Sequence, residues 1–331
     1  MEFLHVNAKR VINEVPASSK VPFRYTINAY RGCSHACVYC FARPTHEYLG
    51  LDMGEDFERK IVVKVNAVER VEAEIRRPKW QGEHIAMGTN TDPYQKAEAK
   101  YHLTRGIVEV LGRAENPFSI LTKSTLVLRD LDVLRKAAER TSVRMAFSVG
   151  TLDRDVWRLT EPGTPPPEKR LEAVRKFNDA GIPCSVLIAP ILPGLSDSDE
   201  QLEEVARACA AAGAVSVSPI ALHLRPGVRE HFFGWLAGSR PDLARLYRER
   251  FGRRSYQPED EQRRIREVVE GAIGRVPPSR DEAEAHLARP AWRGREMTTG
   301  HEEALVNDAR TGERPGAARR AGEVGSQLHL F

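Results

Sequence analysis

Between Phe23 and about Ser218 the chain alternates six short apolar runs with five amphipathic stretches, and few architectures accept that alternation. The runs are FRYTIN (23–28), HIAMG (84–88), FSILT (118–122), VRMAFSV (143–149), PCSVLIA (183–189) and AVSVS (214–218). Between them lie helical patterns over Val63–Arg77, Tyr101–Arg113, Asp130–Arg140, Glu168–Ala180 and Ser198–Ala212. Val68, Val71, Glu72 and Ile75 fall near a 3.6-residue period, as do Leu171, Val174, Phe177 and Asn178. Gly181 and Gly213 stand where a helix C-cap should precede the next strand. Parallel strands need crossover helices, so the pattern reads as consecutive βα units in one parallel sheet or barrel. Six units fit, two short of a full eight-fold barrel. The expected fold class is α/β, a partial (β/α)6 barrel over 23–220, preceded by a short lead-in at 1–22.

Composition narrows the function classes. Of 331 residues 41% are hydrophobic and 29% charged, which suits a soluble globular protein. The net charge of +4 is too mild to mark a nucleic-acid binder, so any basic surface must be local. No run approaches the roughly 18 apolar residues of a membrane helix. The start, MEFLHVNAKRVINEVP, has no apolar signal region, so a cytoplasmic protein is expected. Five cysteines, three of them within eight positions, point to a metal or redox site in a reducing compartment.

Those three are Cys33, Cys37 and Cys40, in CSHACVYC directly after the first strand and Gly32. Three thiolates on one loop can each hold one iron of a [4Fe–4S] cube, leaving the fourth iron open for another ligand. Structural zinc is the blander alternative and would recruit His35 or His46 as a fourth ligand. A thioredoxin-like pair, Cys37 with Cys40, is another, but it needs a helix opening at the pair and leaves Cys33 without a role. The remaining cysteines, Cys184 and Cys209, sit in apolar strand and helix patterns and read as core. Seven further histidines, His5, His84, His102, His223, His231, His286 and His301, lack ligand spacing.

CxxxCxxC with an aromatic before the last cysteine, at the head of a six-fold βα pattern, resembles the radical S-adenosylmethionine (radical SAM) superfamily. NAYRGCSHACVYCFARPTHEYL, GTNTDPYQKAE, LTKS and EPGTPPPEKRLEAVRKFNDAGIP resemble its spore photoproduct lyase-like, "DNA repair photolyase" branch. The resemblance implies a [4Fe–4S] cluster on Cys33, Cys37 and Cys40, with S-adenosylmethionine chelated to the open iron. It implies reductive cleavage to a 5′-deoxyadenosyl radical, fed by an electron donor such as flavodoxin or ferredoxin. It places Thr91 and Asp92 near the methionine amino group, Lys123 and Ser148 as basic and polar contacts, and Tyr39 near the adenine. Pro190, Leu192, Gly194 and Asp197 match the spacing of the superfamily's fifth-strand adenine motif, with two of its four fixed residues changed. Asp92, Lys123, Ser148 and Gly194 also fall at or just beyond expected strand ends, where α/β barrels keep their active sites. Thr89 stands where the lyase has the cysteine that returns hydrogen to the repaired thymine, and a hydroxyl is a far poorer hydrogen-atom donor than a thiol.

The texture changes over 221–276, expected to be a helical extension. Residues 223–256 hold eight arginines and no lysine against three acids, Glu230, Asp242 and Glu249. Arginine forks suit phosphates and the interleaved aromatics suit base stacking, so nucleic acid is a candidate partner. Leu243, Leu246, Tyr247 and Phe251 equally have the spacing of a buried helix face. Residues 277–331, rich in Gly, Pro, Ala and charge, read as a disordered tail. The tail closes on Gln327, Leu328, His329, Leu330 and Phe331, which resembles the QLxLF peptide that docks bacterial repair proteins on the DNA sliding clamp. The leading function is radical chemistry on DNA. RNA or protein modification and a non-catalytic metal-bound nucleic-acid module are the alternatives.

Overall fold

The computed structural model of the protein describes residues 1–274 apart from 17, 18 and 20. The tail at 277–331, with its QLHLF end, lies outside the described residues. Among the described residues there are ten strands: β1 (Glu2–Val6), β2 (Ile12–Glu14), β3 (Tyr25–Ile27), β4 (Tyr30–Arg31) and β5 (Lys60–Lys64), then β6 (Ile85–Met87), β7 (Phe118–Thr122), β8 (Val143–Ser148), β9 (Cys184–Ile191) and β10 (Val217–Ala221).

Seven of them form one sheet in the order β10-β9-β8-β7-β6-β3-β2. The six from β3 to β10 are parallel and adjacent in chain order, as right-handed βα units require. β2 closes one edge antiparallel to β3. No ladder joins β2 to β10 among the described residues, so the sheet is a partial barrel with two free edges. Alternation along the strands sorts the side chains. Phe118 and Ile120, Val143, Met145 and Phe147, and Cys184, Val186 and Ile188 are buried against the outer helices. The opposite parity, Leu121, Lys123, Ser148, Leu187 and Ala189, faces inward onto the cavity described below.

The crossover helices include Ala67–Ile75, Leu103–Arg113, Leu131–Ala138, Pro167–Asp179 and Asp199–Ala211. Ser198 caps the last of these in a reciprocal capping box with Gln201. The helix Glu259–Ile273 packs back on Asp199–Ala211 and β10, placing Ile265 and Val269 in the main core. It therefore supplies the outer helix that follows β10.

Three expectations change. The helix expected from Val63 starts at Ala67, because the β-branched run Ile61-Val62-Val63 forms β5 instead. The helix expected from Tyr101 breaks at His102, whose φ of 52° ends one short helix and starts the next. The last strand is Val217–Ala221 rather than 214–218, displaced by the turn at Gly213. The lead-in at 1–22 carries β1, parallel to β5, and β2. It is pinned by Glu74, a buried carboxylate that accepts from Val11 N–H at 2.9 Å and Ile12 N–H at 3.1 Å.

A second apolar cluster lies at the open end of the barrel. Val228, Phe232, Leu236, Tyr247 and Phe251, from helices Val228–Ser239 and Ala244–Phe251, pack with Cys37, Val38, Tyr39, Leu192 and Leu195. Each large side chain so buried stabilises by about 1.5–3 kcal/mol, which ties the arginine-rich segment to the cysteine loop. Arg245 and Arg248 remain on the wet side of their helix. No described helix is long and apolar enough to cross a membrane.

Candidate active site

The cysteine loop leaves β3 and β4 at the C-terminal ends of the parallel strands. Gly32 opens it at φ +78°, and a Cβ there would lie 2.8 Å from both His46 Cε1 and Phe57 O, so only glycine fits. Cys33 N–H is tied to Phe57 O at 2.9 Å. Arg43, fully buried, donates to Cys37 O through Nε at 3.1 Å and Nη2 at 2.9 Å and also reaches Met53 O, Gly54 O and Glu58. The loop is thus braced from beneath by a cation that the sequence reading did not single out.

Cys33, Cys37 and Cys40 line one cavity of about 1000 Å³, including its open mouth. Burial pushes all three thiols up, Cys37 to about 12, so they are neutral in the metal-free chain and lose their protons on ligating a metal. Each histidine that a zinc site would recruit has one ring nitrogen engaged. His46 Nε2 lies 3.0 Å from Lys60 O with its ring edge-on to Phe57, and His35 Nδ1 lies 3.3 Å from Asp92 Oδ2. Among the described residues no three His, Cys, Asp or Glu side chains converge tightly enough for a single ion. Three thiols spread around one cavity suit a cluster, whose separate irons each take one.

The TNTDPYQ segment after β6 latches onto this loop. Thr91 hydroxyl donates to Gly32 O at 2.6 Å, and Gln95 Nε2 reaches the same oxygen at 2.8 Å while its Oε1 accepts from Ser34 N–H at 3.0 Å. Asp92 accepts from Thr122 hydroxyl at 2.7 Å, Lys123 N–H at 2.8 Å and Tyr94 N–H at 2.8 Å. Burial opposes its ionisation, but His35 and these hydrogen bonds prevail and hold the carboxyl below its usual range. Thr89, at the mouth, exchanges hydrogen bonds with Asn28.

On the facing wall Lys123 Nζ donates to Ser148 Oγ at 2.6 Å and Ala189 O at 3.2 Å, and pairs with Glu161 Oε1 at 3.0 Å. Its ammonium lies 5.7 Å from the centre of the Tyr39 ring. Tyr39 hydroxyl donates to Glu161, and Arg170 Nη2 donates to the other Glu161 oxygen at 2.5 Å. Burial disfavours the Glu161 anion, yet Arg170 and Lys123 outweigh it and hold the carboxyl at about 2. Glu161 and Arg170 come from the EPGTPPPEKR run, whose sequence does not reveal which residues it meets.

The structure therefore gathers Cys33, Cys37, Cys40, Tyr39, Thr91, Asp92, Lys123 and Ser148 around one cavity. It does not bring Leu192 or Gly194 to the cavity wall. Leu192 is buried in the second apolar cluster, and Gly194 lies against Leu243 and Leu246 with its N–H on Asp197 Oδ1 at 2.7 Å. Of that motif only Pro190 lines the cavity. Cys184 and Cys209 are core residues, fully buried.

At the mouth, Phe41 is 42% exposed and its ring lies 6.0 Å from His223, which stacks on Tyr256 at 5.7 Å and 22°. Arg253 and Arg254, just before Tyr256, are exposed. Neither has a carboxylate within ion-pair distance among the described residues.

Comparison with known proteins follows the same lines. An uncharacterized protein of Mycobacterium tuberculosis is 46% identical over 273 residues, 82% of this chain and 80% of its own length. One of Methanocaldococcus jannaschii is 33% identical over 199 residues, 60% of this chain and 70% of its own. Among solved structures, spore photoproduct lyase complexed with dinucleoside spore photoproduct has a TM-score of 0.62 at 20% identity, covering 83% of this chain and 80% of that one. The radical SAM superfamily model matches residues 27–208, the stretch that runs from the cysteine loop through β9 and its helix. With that match covering more than half of the sequence, and the cysteine loop at the open end of a partial parallel barrel, the chain belongs to the radical SAM superfamily.

Proposed function

We propose that the protein is a radical SAM enzyme that cleaves S-adenosylmethionine reductively and acts on DNA, repairing or modifying a damaged base. One observation carries this reading: three cysteine thiols share a single cavity with Asp92, Lys123 and Ser148. Cys33, Cys37 and Cys40 would hold the [4Fe–4S] cluster, and flavodoxin or ferredoxin would reduce it. When bound, the cluster and S-adenosylmethionine supply one-electron chemistry that ends in hydrogen abstraction from substrate. The chain's own residues bind and orient. Lys123 offers a cation to the methionine carboxylate, Asp92 an anion toward its ammonium, and Tyr39 a ring for the adenine. Leu121, Leu187, Pro190, Ile220 and Leu222 wall the cavity with apolar surface that excludes water. A cytoplasmic location fits these reduced thiols.

The DNA part rests on the mouth. Phe41, 42% exposed, offers a ring on which a base can stack beside the His223–Tyr256 pair, and Arg253 and Arg254 offer charge to flanking phosphates. Likeness in fold to a lyase solved with a dinucleoside lesion supports the same direction. The C-terminal QLHLF would tether the enzyme to the sliding clamp, raising its local concentration at DNA. Thr89 favours a reaction other than thiol-assisted reversal of spore photoproduct, and keeps RNA or protein modification as the second reading.

Anaerobic reconstitution tests the core. About four irons per chain and formation of 5′-deoxyadenosine with a strong reductant are expected. Zinc in place of iron, or no cleavage, would leave only a metal-bound binding module. Competition between damaged DNA, RNA and protein then decides the substrate.

A further inference from the structure

Segment 160–164 joins the two halves of the site. Its main chain meets the cysteine loop twice, with Val38 N–H donating to Thr160 O at 3.1 Å and Gly163 N–H to His35 O at 3.0 Å. Its Glu161 side chain accepts from Tyr39 hydroxyl and pairs with Lys123 at 3.0 Å, while Arg170 closes on the second oxygen at 2.5 Å. Glu161 and Arg170 are only 4% and 1% exposed, and neither is part of the cavity wall.

Counting charges and donors shows what this arrangement prepares. Arg170 and Lys123 bring two positive charges and Glu161 one negative charge, so the network keeps one positive charge beside the cavity. The Lys123 ammonium has three protons. They are directed at Glu161 Oε1, at Ser148 Oγ (2.6 Å) and at Ala189 O (3.2 Å). The last of these is redundant, because Ser148 hydroxyl donates to the same carbonyl at 2.6 Å. One N–H can therefore turn to an incoming anion without leaving a buried carbonyl unpaired, as long as Glu161 and Ser148 hold the other two.

We propose that Glu161 is a positioning residue for the anionic end of S-adenosylmethionine: it orients Lys123 so that one ammonium N–H is available to the methionine carboxylate. The inference rests on the reading that this cavity takes S-adenosylmethionine. Glu161 acts through Lys123 and Tyr39 and leaves the ligand itself untouched.

The test is S-adenosylmethionine affinity, measured by equilibrium dialysis on anaerobically reconstituted full-length protein, beside iron content and thermal midpoint. Glu161→Gln alone strands Arg170 as a buried unpaired charge, which destabilises the fold. The deciding variant therefore combines Glu161→Gln with Arg170→Met and removes both charges; its reference is Arg170→Met alone, which loses the same Arg170 contacts to Ser148 O and Pro165 O at 2.9 Å but keeps Glu161 on Lys123. Iron content close to wild type and a thermal midpoint close to that of Arg170→Met, with affinity weaker than that of Arg170→Met by about tenfold or more, are expected from the loss of one charge-assisted contact's orientation. A double variant that binds S-adenosylmethionine as tightly as Arg170→Met would show that Glu161 only neutralises Arg170, and overturns the proposal. Loss of iron in the same variant also overturns it, by assigning the segment to the cysteine loop alone. Wild-type protein that takes up iron yet binds no S-adenosylmethionine is a separate failure, that of the functional reading beneath.

Discussion

Gly163 lies against Ser34 so closely that a Cβ built on it would come within 2.2 Å of the Ser34 carbonyl oxygen. Backbone cannot yield as a flexible side-chain tip does, so Gly163→Ala must displace either its own turn or the cysteine loop. A stability loss of about 1–3 kcal/mol in urea unfolding is expected, together with poorer iron uptake. Gly234→Ala is the control: it lies in the helix Val228–Ser239 with nothing within 4 Å of its added Cβ. That exchange should stabilise by roughly 0.5–1 kcal/mol and leave iron uptake alone.

The five cysteines should divide sharply. Alanine at Cys33, Cys37 or Cys40 is expected to abolish 5′-deoxyadenosine formation and lower bound iron. Cys184→Ala and Cys209→Ala remove buried core sulfur that is not part of the cavity wall, so they should lower stability by about 1 kcal/mol and keep both iron and cleavage. Cleavage surviving in any of the first three would remove the cluster assignment.

Acid stability carries the signature of Glu161. Its carboxyl is held at about 2 against an ordinary value of 4.5, so it binds fewer protons folded than unfolded. The stability it contributes is complete above about pH 4.5 and is lost as pH falls toward 2. The Glu161→Gln, Arg170→Met double variant lacks this titration. Between pH 5 and 3, roughly, its urea midpoint should fall less steeply than that of the wild type; parallel curves would contradict the assignment.

Exchange of Arg253 and Arg254 for glutamine removes two exposed cations beside the stacked His223–Tyr256 pair. Oligonucleotide affinity measured by fluorescence anisotropy should weaken, and the slope of log affinity against log salt should shrink by roughly 1–2. Phe41→Ala should weaken binding without changing that slope, because stacking releases no counterions. An unchanged slope in the arginine variant would place the phosphate contacts elsewhere.

Deletion of Gln327–Phe331 should abolish retention of the full chain on immobilised bacterial sliding clamp and leave cleavage of S-adenosylmethionine intact. Equal retention with and without the peptide refutes the tether.

Much of the fold is legible in local pattern. Six parallel strands and their helices follow from short apolar runs bounded by turns. The error at Val63 has a plain cause: Ile61-Val62-Val63 is too short to separate from a helix by periodicity, and β1 from the distant N-terminus decides it by pairing in register. Likewise, the arginines of 223–256 and the apolar face beneath them are both visible in the sequence. That Tyr247 and Phe251 pack beside Cys37 and Tyr39 is visible only in three dimensions.

By itself, then, the sequence determined the parallel βα order, the grouping of Cys33, Cys37 and Cys40 on one loop after the first strand, and the strand-end positions of Asp92, Lys123 and Ser148. These depend on spacing along the chain and on which face a strand residue must take. The tertiary structure alone decided that Glu161 and Arg170 join Tyr39 to Lys123, that Arg43 and Gln95 brace the cysteine loop, and that Leu192 and Gly194 stand behind the cavity wall. Those are contacts between segments far apart in sequence, selected by how buried charges find partners once the layers have packed, and no local period records them.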